Sequence, residues 1–141
     1  MQEIYYLNRE TLPTIPVPHD CIIEDIVIEN QYIIFKFEAD LSRYDSIKHI
    51  KPNVKSLVIK FHLCDECFNL YKWHKPIKFI AKNGFYKCID GSKLLTLTSG
   101  EYHLQYIYHH IAYRSIIIEM WSGTPIRLEI SADYIEFDWE I

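Results

Sequence analysis

Residues 114–141 read RSIIIEMWSGTPIRLEISADYIEFDWEI, and their periodicity decides the fold class. Apolar and charged residues alternate strictly in Ile126-Arg127-Leu128-Glu129-Ile130 and again in Ile135-Glu136-Phe137-Asp138-Trp139. A period of two marks a strand with one buried and one wet face. Ser115 to Trp121 is apolar on both faces except at Glu119, which predicts a deeper strand. Ser122-Gly123-Thr124-Pro125 supplies a four-residue hairpin loop. Pro125 then falls at a strand's first residue, where a missing N–H is tolerated. Ser131-Ala132-Asp133 reads as a second turn. The stretch therefore predicts three antiparallel strands on which the remaining chain builds.

The two faces of these strands differ in chemistry. Ile126, Leu128, Ile130, Ile135, Phe137 and Trp139 point inward by the alternation, and Arg127, Glu129, Glu136 and Asp138 point outward together with Tyr134. Glu119 is expected on the same outer face. One arginine thus stands among four carboxylates on neighbouring strands. Charged residues are ordinarily solvated surface. The sharper reading makes Glu119, Arg127, Glu129, Tyr134, Glu136 and Asp138 a surface for a protein partner that presents Lys and Arg.

The 141 residues suit a single domain with one core, spanning 1–141. A 49% hydrophobic and 24% charged composition is that of a globular chain. Aromatics reach 15%, eleven of them Tyr, and Ile is abundant while Ala is scarce, which favours strands over helices. The net charge is −4 and no basic run exceeds two residues, so a nucleic-acid binder is not expected. No apolar stretch approaches the ~20 residues of a membrane helix. The first residues show no signal-peptide pattern, and a cytoplasmic protein is the expectation. In that reducing compartment the four cysteines are expected as thiols or metal ligands rather than disulfides.

Along the chain, Pro13, Pro16 and Pro18 predict an extended arm over residues 1–18, with an edge strand near Ile4 to Leu7. Cys21 to Glu29 and Tyr32 to Glu38 form a hairpin across Asn30-Gln31, and Glu24-Asp25 interrupts the pattern as a bulge would. Leu41, Tyr44, Ile47 and Ile50 recur every three residues between Asp40, a candidate N-cap, and Pro52. A short helix or 3₁₀ turn near 41–50 is one reading and a loop the other. Val54 to Leu63 reads as a strand with Glu66 to Trp73 as its hairpin partner. Asn83-Gly84 predicts a hairpin turn after a strand at Pro76 to Ala81. Asp90-Gly91 repeats that signal before Leu94 to Thr98. Tyr102 to Tyr113 is open to two readings: Leu104, Ile107, Tyr108 and Ile111 fit a helix stripe, whereas the aromatic density of Tyr102, Tyr106, Tyr108 and Tyr113 favours a strand, which is the expectation. The sum is an all-β, single-domain antiparallel meander forming a sandwich or a partly open barrel.

Three constellations bear on chemistry. His62, Cys64, Cys67 and His74 match the ligand types of a zinc site, but a lone C-x-x-C with no Gly or Pro to shape a knuckle favours a hairpin turn and no metal. His19-Asp20-Cys21 resembles a thiol nucleophile beside a base, yet on an extended chain Asp20 points away from His19 and cannot orient it. His103, His109 and His110 are expected as a surface group. No phosphate loop, nucleophile elbow or H-E-x-x-H occurs. No catalytic residue and no cofactor are assigned, and a non-enzymatic protein is expected.

The Pro18-His19-Asp20-Cys21 lead into a hairpin and the Tyr134-Ile135-Glu136-Phe137-Asp138-Trp139 ending resemble small uncharacterised bacterial all-β proteins, some of them similar to immunity proteins of polymorphic toxin systems. The resemblance covers both ends of the chain. It implies an intracellular protein that binds and blocks one cognate toxin. Alternatives are a small-ligand or carbohydrate-binding β module, which a Tyr- and Trp-lined concave pocket would favour, and a zinc-stabilised β domain.

Overall fold

The computed structural model describes residues 1–79 and 82–141. Eight strands form one antiparallel sheet: β1 (Gln2–Tyr6), β2 (Ile22–Glu29), β3 (Tyr32–Phe37), β4 (Ser56–His74), β5 (Phe85–Ile89), β6 (Leu104–Ala112), β7 (Ser115–Trp121) and β8 (Pro125–Glu140). One helical turn, α1 (Asp45–Lys48), and 3₁₀ segments at Leu41–Arg43 and Gly91–Ser99 are the helical elements among the described residues.

The sheet curls until its ends meet. Pairing runs β2–β3–β4–β8–β7–β6 and returns from β6 to β2, a ring of six strands. The β6–β2 seam consists of two residue pairs, Ile22–Gln105 and Ile23–Leu104, so the barrel is partly open there. Strands β1 and β5 lie outside the ring, β1 beside the C-terminal half of β8 and β5 beside the C-terminal half of β4. All six residues assigned inward on β8 are buried, and they pack with Phe35, Phe61, Tyr106 and other apolar side chains into one core.

The wall is built on β4 and β8, paired from Ser56–Glu140 to Lys72–Ile126. Each strand bulges once where the other does. Cys64 to Cys67 lie between the pairs Leu63–Ala132 and Phe68–Ile130, opposite Ser131 alone, and Asp133 lies unpaired between the partners of His62 and Leu63. The extra residue re-phases the alternation, so that Ile130, Ala132 and Ile135 all face the core.

These bulges overturn two expected turns. Ser131-Ala132-Asp133 does not reverse the chain: Ile126–Ile130 and Ile135–Trp139 are two halves of one strand. Val54–Leu63 and Glu66–Trp73 are likewise not a hairpin but one strand. A short polar insert breaks a period of two whether the chain turns or bulges, and only the partner strand distinguishes them. The strand expected at Pro76–Ala81 is also absent where it is described. Pro76 to Phe79 belong to the connection between β4 and β5, and residues 80–81 lie outside the described residues. Leu94–Thr98 is 3₁₀ rather than strand. The Asp90 carboxylate accepts the Ser92 N–H at 2.9 Å, and the Thr96 and Ser99 hydroxyls donate to the carbonyls of Lys93 and Thr96. Such local bonds compete with a ladder.

Other expectations hold. Asn30 and Gln31 both take positive φ, 50° and 66°, which is the geometry of a tight hairpin turn. The β2–β3 register shifts at Glu24. The segment 41–50 holds two short helical pieces, although the Asp40 side chain caps neither. Tyr102–Tyr113 contains strand β6.

Candidate interaction face

The outer surface of the barrel is fixed by register. Where β1, β8, β4 and β3 lie side by side, three rows cross them: Tyr6–Tyr134–His62–Tyr32, then Ile4–Glu136–Lys60–Ile34, then Gln2–Asp138–Val58–Lys36. All are outward by alternation, because Ile135 and Phe137 between them are buried, although Ile34 is itself covered.

The first row is a joined polar and aromatic cluster. His62 stacks on Tyr134 with ring centres 4.5 Å apart and meets Tyr32 edge-on at 5.0 Å. The Tyr32 and Tyr134 hydroxyls lie 2.5 Å apart. His62 Nδ1 lies 2.6 Å from Asp133 Oδ1, the bulged residue of β8. The Arg9 guanidinium covers Tyr6, 4.6 Å from its ring centre. The Tyr134 hydroxyl has its pKa raised, first by the hydrogen bond with Tyr32 and then by burial, so it is held protonated. These rings pack on one another rather than presenting a flat platform.

In the other rows, Glu136 stands opposite Lys60 and accepts from Gln2 Nε2 at 3.1 Å. Asp138 is exposed between Gln2 and Val58. Beside them on β1, Ile4 and Tyr6 are 42% and 43% exposed, and among the described residues the far side of β1 pairs with no strand.

The six residues expected to form one face fall into two groups. Arg127 and Glu129 lie on the half of β8 that pairs with β7, which carries Glu119, and Tyr134, Glu136 and Asp138 lie on the half that pairs with β1. At strand rise, Glu129 and Glu136 are roughly 20 Å apart on one strand rather than on neighbouring strands. Arg127 and Glu119 are cross-strand partners, joined by an Nε–H donated to Oε1 at 2.7 Å. Arg127 also lies over the Tyr86 ring, 4.2 Å from its centre. Glu129 stands beside Tyr71, whose pKa is raised first by desolvation and then by that carboxylate.

The remaining candidates separate. Cys64 and Cys67 are exposed on the β4 bulge, His62 is engaged with Asp133, and His74 stacks on Phe85 at the end of β4. Among the described residues no group of three or more His, Cys, Asp or Glu side chains converges to hold a metal ion. Asp20 has φ 67°, not extended backbone, and so its carboxylate reaches His19 Nε2 at 3.4 Å, against expectation. Cys21 turns away into the core, where burial pushes its thiol pKa up to about 12. His109 is not a surface residue. It is 7% exposed, its Nδ1 lies 2.5 Å from the Tyr106 hydroxyl, and desolvation lowers its pKa to about 4. A bulge at Ile107 shifts the phase of β6 and turns His109 inward.

Sequence reasoning missed the roles of Ile4, Tyr6, Tyr32 and Asp133, because each depends on non-local register. No helix among the described residues is long and apolar enough to cross a membrane. Comparison with protein-family models, curated proteins and solved structures finds no match.

Proposed function

We propose that this chain is a non-enzymatic binding domain that engages a basic protein partner through the face of β1 and β8, in the manner of an immunity protein that blocks a cognate toxin. The observation that carries this reading is the placement of exposed Ile4 and Tyr6 on edge strand β1 beside Tyr134, Glu136 and Asp138 on β8. Aliphatic and aromatic anchors rimmed by charge are the composition of protein interfaces. Glu136 and Asp138 would meet the cations of such a partner on contact, beside Lys60 and Lys36 of the same rows, so that opposite charges fix its register. The Tyr134 hydroxyl, its pKa raised first by the hydrogen bond with Tyr32, and the buried Cys21 thiol are both held protonated, so neither is poised as a nucleophile.

The test is stopped-flow association with the proteins encoded beside its gene, at several ionic strengths, for wild type and Glu136→Lys/Asp138→Lys. The reading expects one partner whose association slows strongly in the double reversal, most at low salt, with the fold kept and the melting temperature only slightly lowered, because Glu136→Lys sets a cation opposite Lys60. Equal rates for both proteins would remove this face as the interface.

A further inference from the structure

A second surface lies beyond the barrel mouth and carries a net positive charge. Between residues 70 and 99 the chain carries six lysines and one acid, Asp90, a net +5 in a protein whose total is −4. The sequence spaces these lysines three to six apart, so no basic run appears; five lie in the β4–β5 hairpin and Lys93 on the 3₁₀ segment that follows. Lys72 and Lys87 are direct cross-strand partners. Like charges placed so repel, and neither has an ion-pair partner among the described residues. Asp90 is turned to the Ser92 N–H.

On the same face of the hairpin, the next pair is His74–Phe85, stacked with ring centres 5.0 Å apart and planes 8° from parallel. Both rings reach solvent, Phe85 at 37% exposure. On the other side of the lysines is the pair Leu70–Ile89. Two adjoining hollows of about 370 and 260 Å³ share Lys72 and Ile89 in their walls. Lys75 and Lys87 line the first and Lys93 and Leu97 the second.

We propose that this hairpin face binds single-stranded nucleic acid, with phosphates on Lys72, Lys87 and Lys93 and a base against His74–Phe85. A cation pair alone would suit any anion. The aromatic pair one step along the ladder favours a ligand that alternates phosphate with a planar ring, the pairing of features by which single strands are held without sequence preference. The site is separate from the β1–β8 face and does not depend on it.

Fluorescence anisotropy of a labelled single-stranded oligonucleotide, followed from low to physiological salt, tests the assignment. Wild type binds and weakens as salt rises. Lys72→Glu/Lys87→Glu binds about tenfold or more weakly and flattens the log–log salt slope by roughly 0.7 for each phosphate no longer neutralised. Phe85→Ala weakens binding with the slope unchanged. Lys93→Glu, outside the ladder, weakens it even if the double variant melts early. Absence of binding by wild type at low salt overturns the proposal. So does equal affinity for duplex, which would leave the aromatic pair without a role. Displacement by polyglutamate at matched charge would replace nucleic acid with an acidic protein segment.

Discussion

The Tyr134 hydroxyl lies 2.5 Å from that of Tyr32, although β8 and β3 are not neighbours and β4 runs between them. The two side chains meet beside His62, the β4 residue paired with both, and so tie three strands together on the outer surface.

That contact makes Tyr134 titrate late. Its folded pKa is raised, so the folded state keeps a proton that the unfolded chain releases near pH 10. The stability it contributes is complete below that pH and is lost as pH rises above it. Tyr134→Phe is expected to lower stability by about 1 kcal/mol at neutral pH through the missing hydrogen bond and to flatten the alkaline decline. Urea melts against pH for both proteins check this, and an unchanged alkaline slope would remove Tyr134 as its source.

His109 acts in the opposite pH range. Its folded pKa, lowered by burial to about 4, lies below the ordinary value of 6.5. The unfolded chain therefore binds the extra proton, and the contribution is present above about pH 6.5 and lost as pH falls toward 4. The full loss is on the order of 3 kcal/mol for this nearly buried ring. NMR titration is expected to find one imidazole still neutral at pH 5, and His109→Leu to reduce the acid sensitivity of the melt.

The four thiols are expected to separate in a thiol-reagent titration. Cys64, Cys67 and Cys88 are exposed, whereas Cys21 is buried with its pKa pushed up to about 12. Three react promptly in the native protein and the fourth only on unfolding. Four prompt equivalents would show Cys21 to be reachable.

Trp139→Ala is expected to cost roughly 3–5 kcal/mol, because the ring is 1% exposed and packs on Phe137. Its indole N–H also donates to the Glu3 carboxylate, linking β8 to β1. Glu3→Gln is expected to cost far less. Denaturant melts of the two variants measure the difference, and a Trp139→Ala loss within error would contradict the packing.

The inner half of each strand was legible in the sequence wherever alternation ran unbroken, as in Ile126–Ile130, Ile135–Trp139 and the β2–β3 hairpin with its Asn30-Gln31 turn. What alternation cannot reveal is whether an interruption reverses the chain. Ser131–Asp133 and Cys64–Cys67 are polar and short, as turns are, yet both lie in the β4–β8 ladder, between partners some seventy residues apart. That error split one strand into two and merged two charged groups into one face. Leu94–Thr98 has the apolar and β-branched side chains of a strand, and the local signal against one is the Asp90 side chain that bonds the segment's first turn. The lysine face is not legible along the chain, because strand pairing brings Lys72 and Lys87, fifteen residues apart in sequence, side by side.

The long β4–β8 ladder also has a meaning for biosynthesis. Strand β4 leaves the ribosome well before β8, the last strand in chain order, and one of its edges waits for that partner throughout. Until then, Leu57, Ile59 and Phe61 have no β8 side chains to pack against. Ring closure is a late, non-local step, of the kind that slows folding and exposes nascent chains to association. Stalled translation short of residue 125 is therefore expected to leave an open sheet that binds holdase chaperones, and release of the final strand to free it.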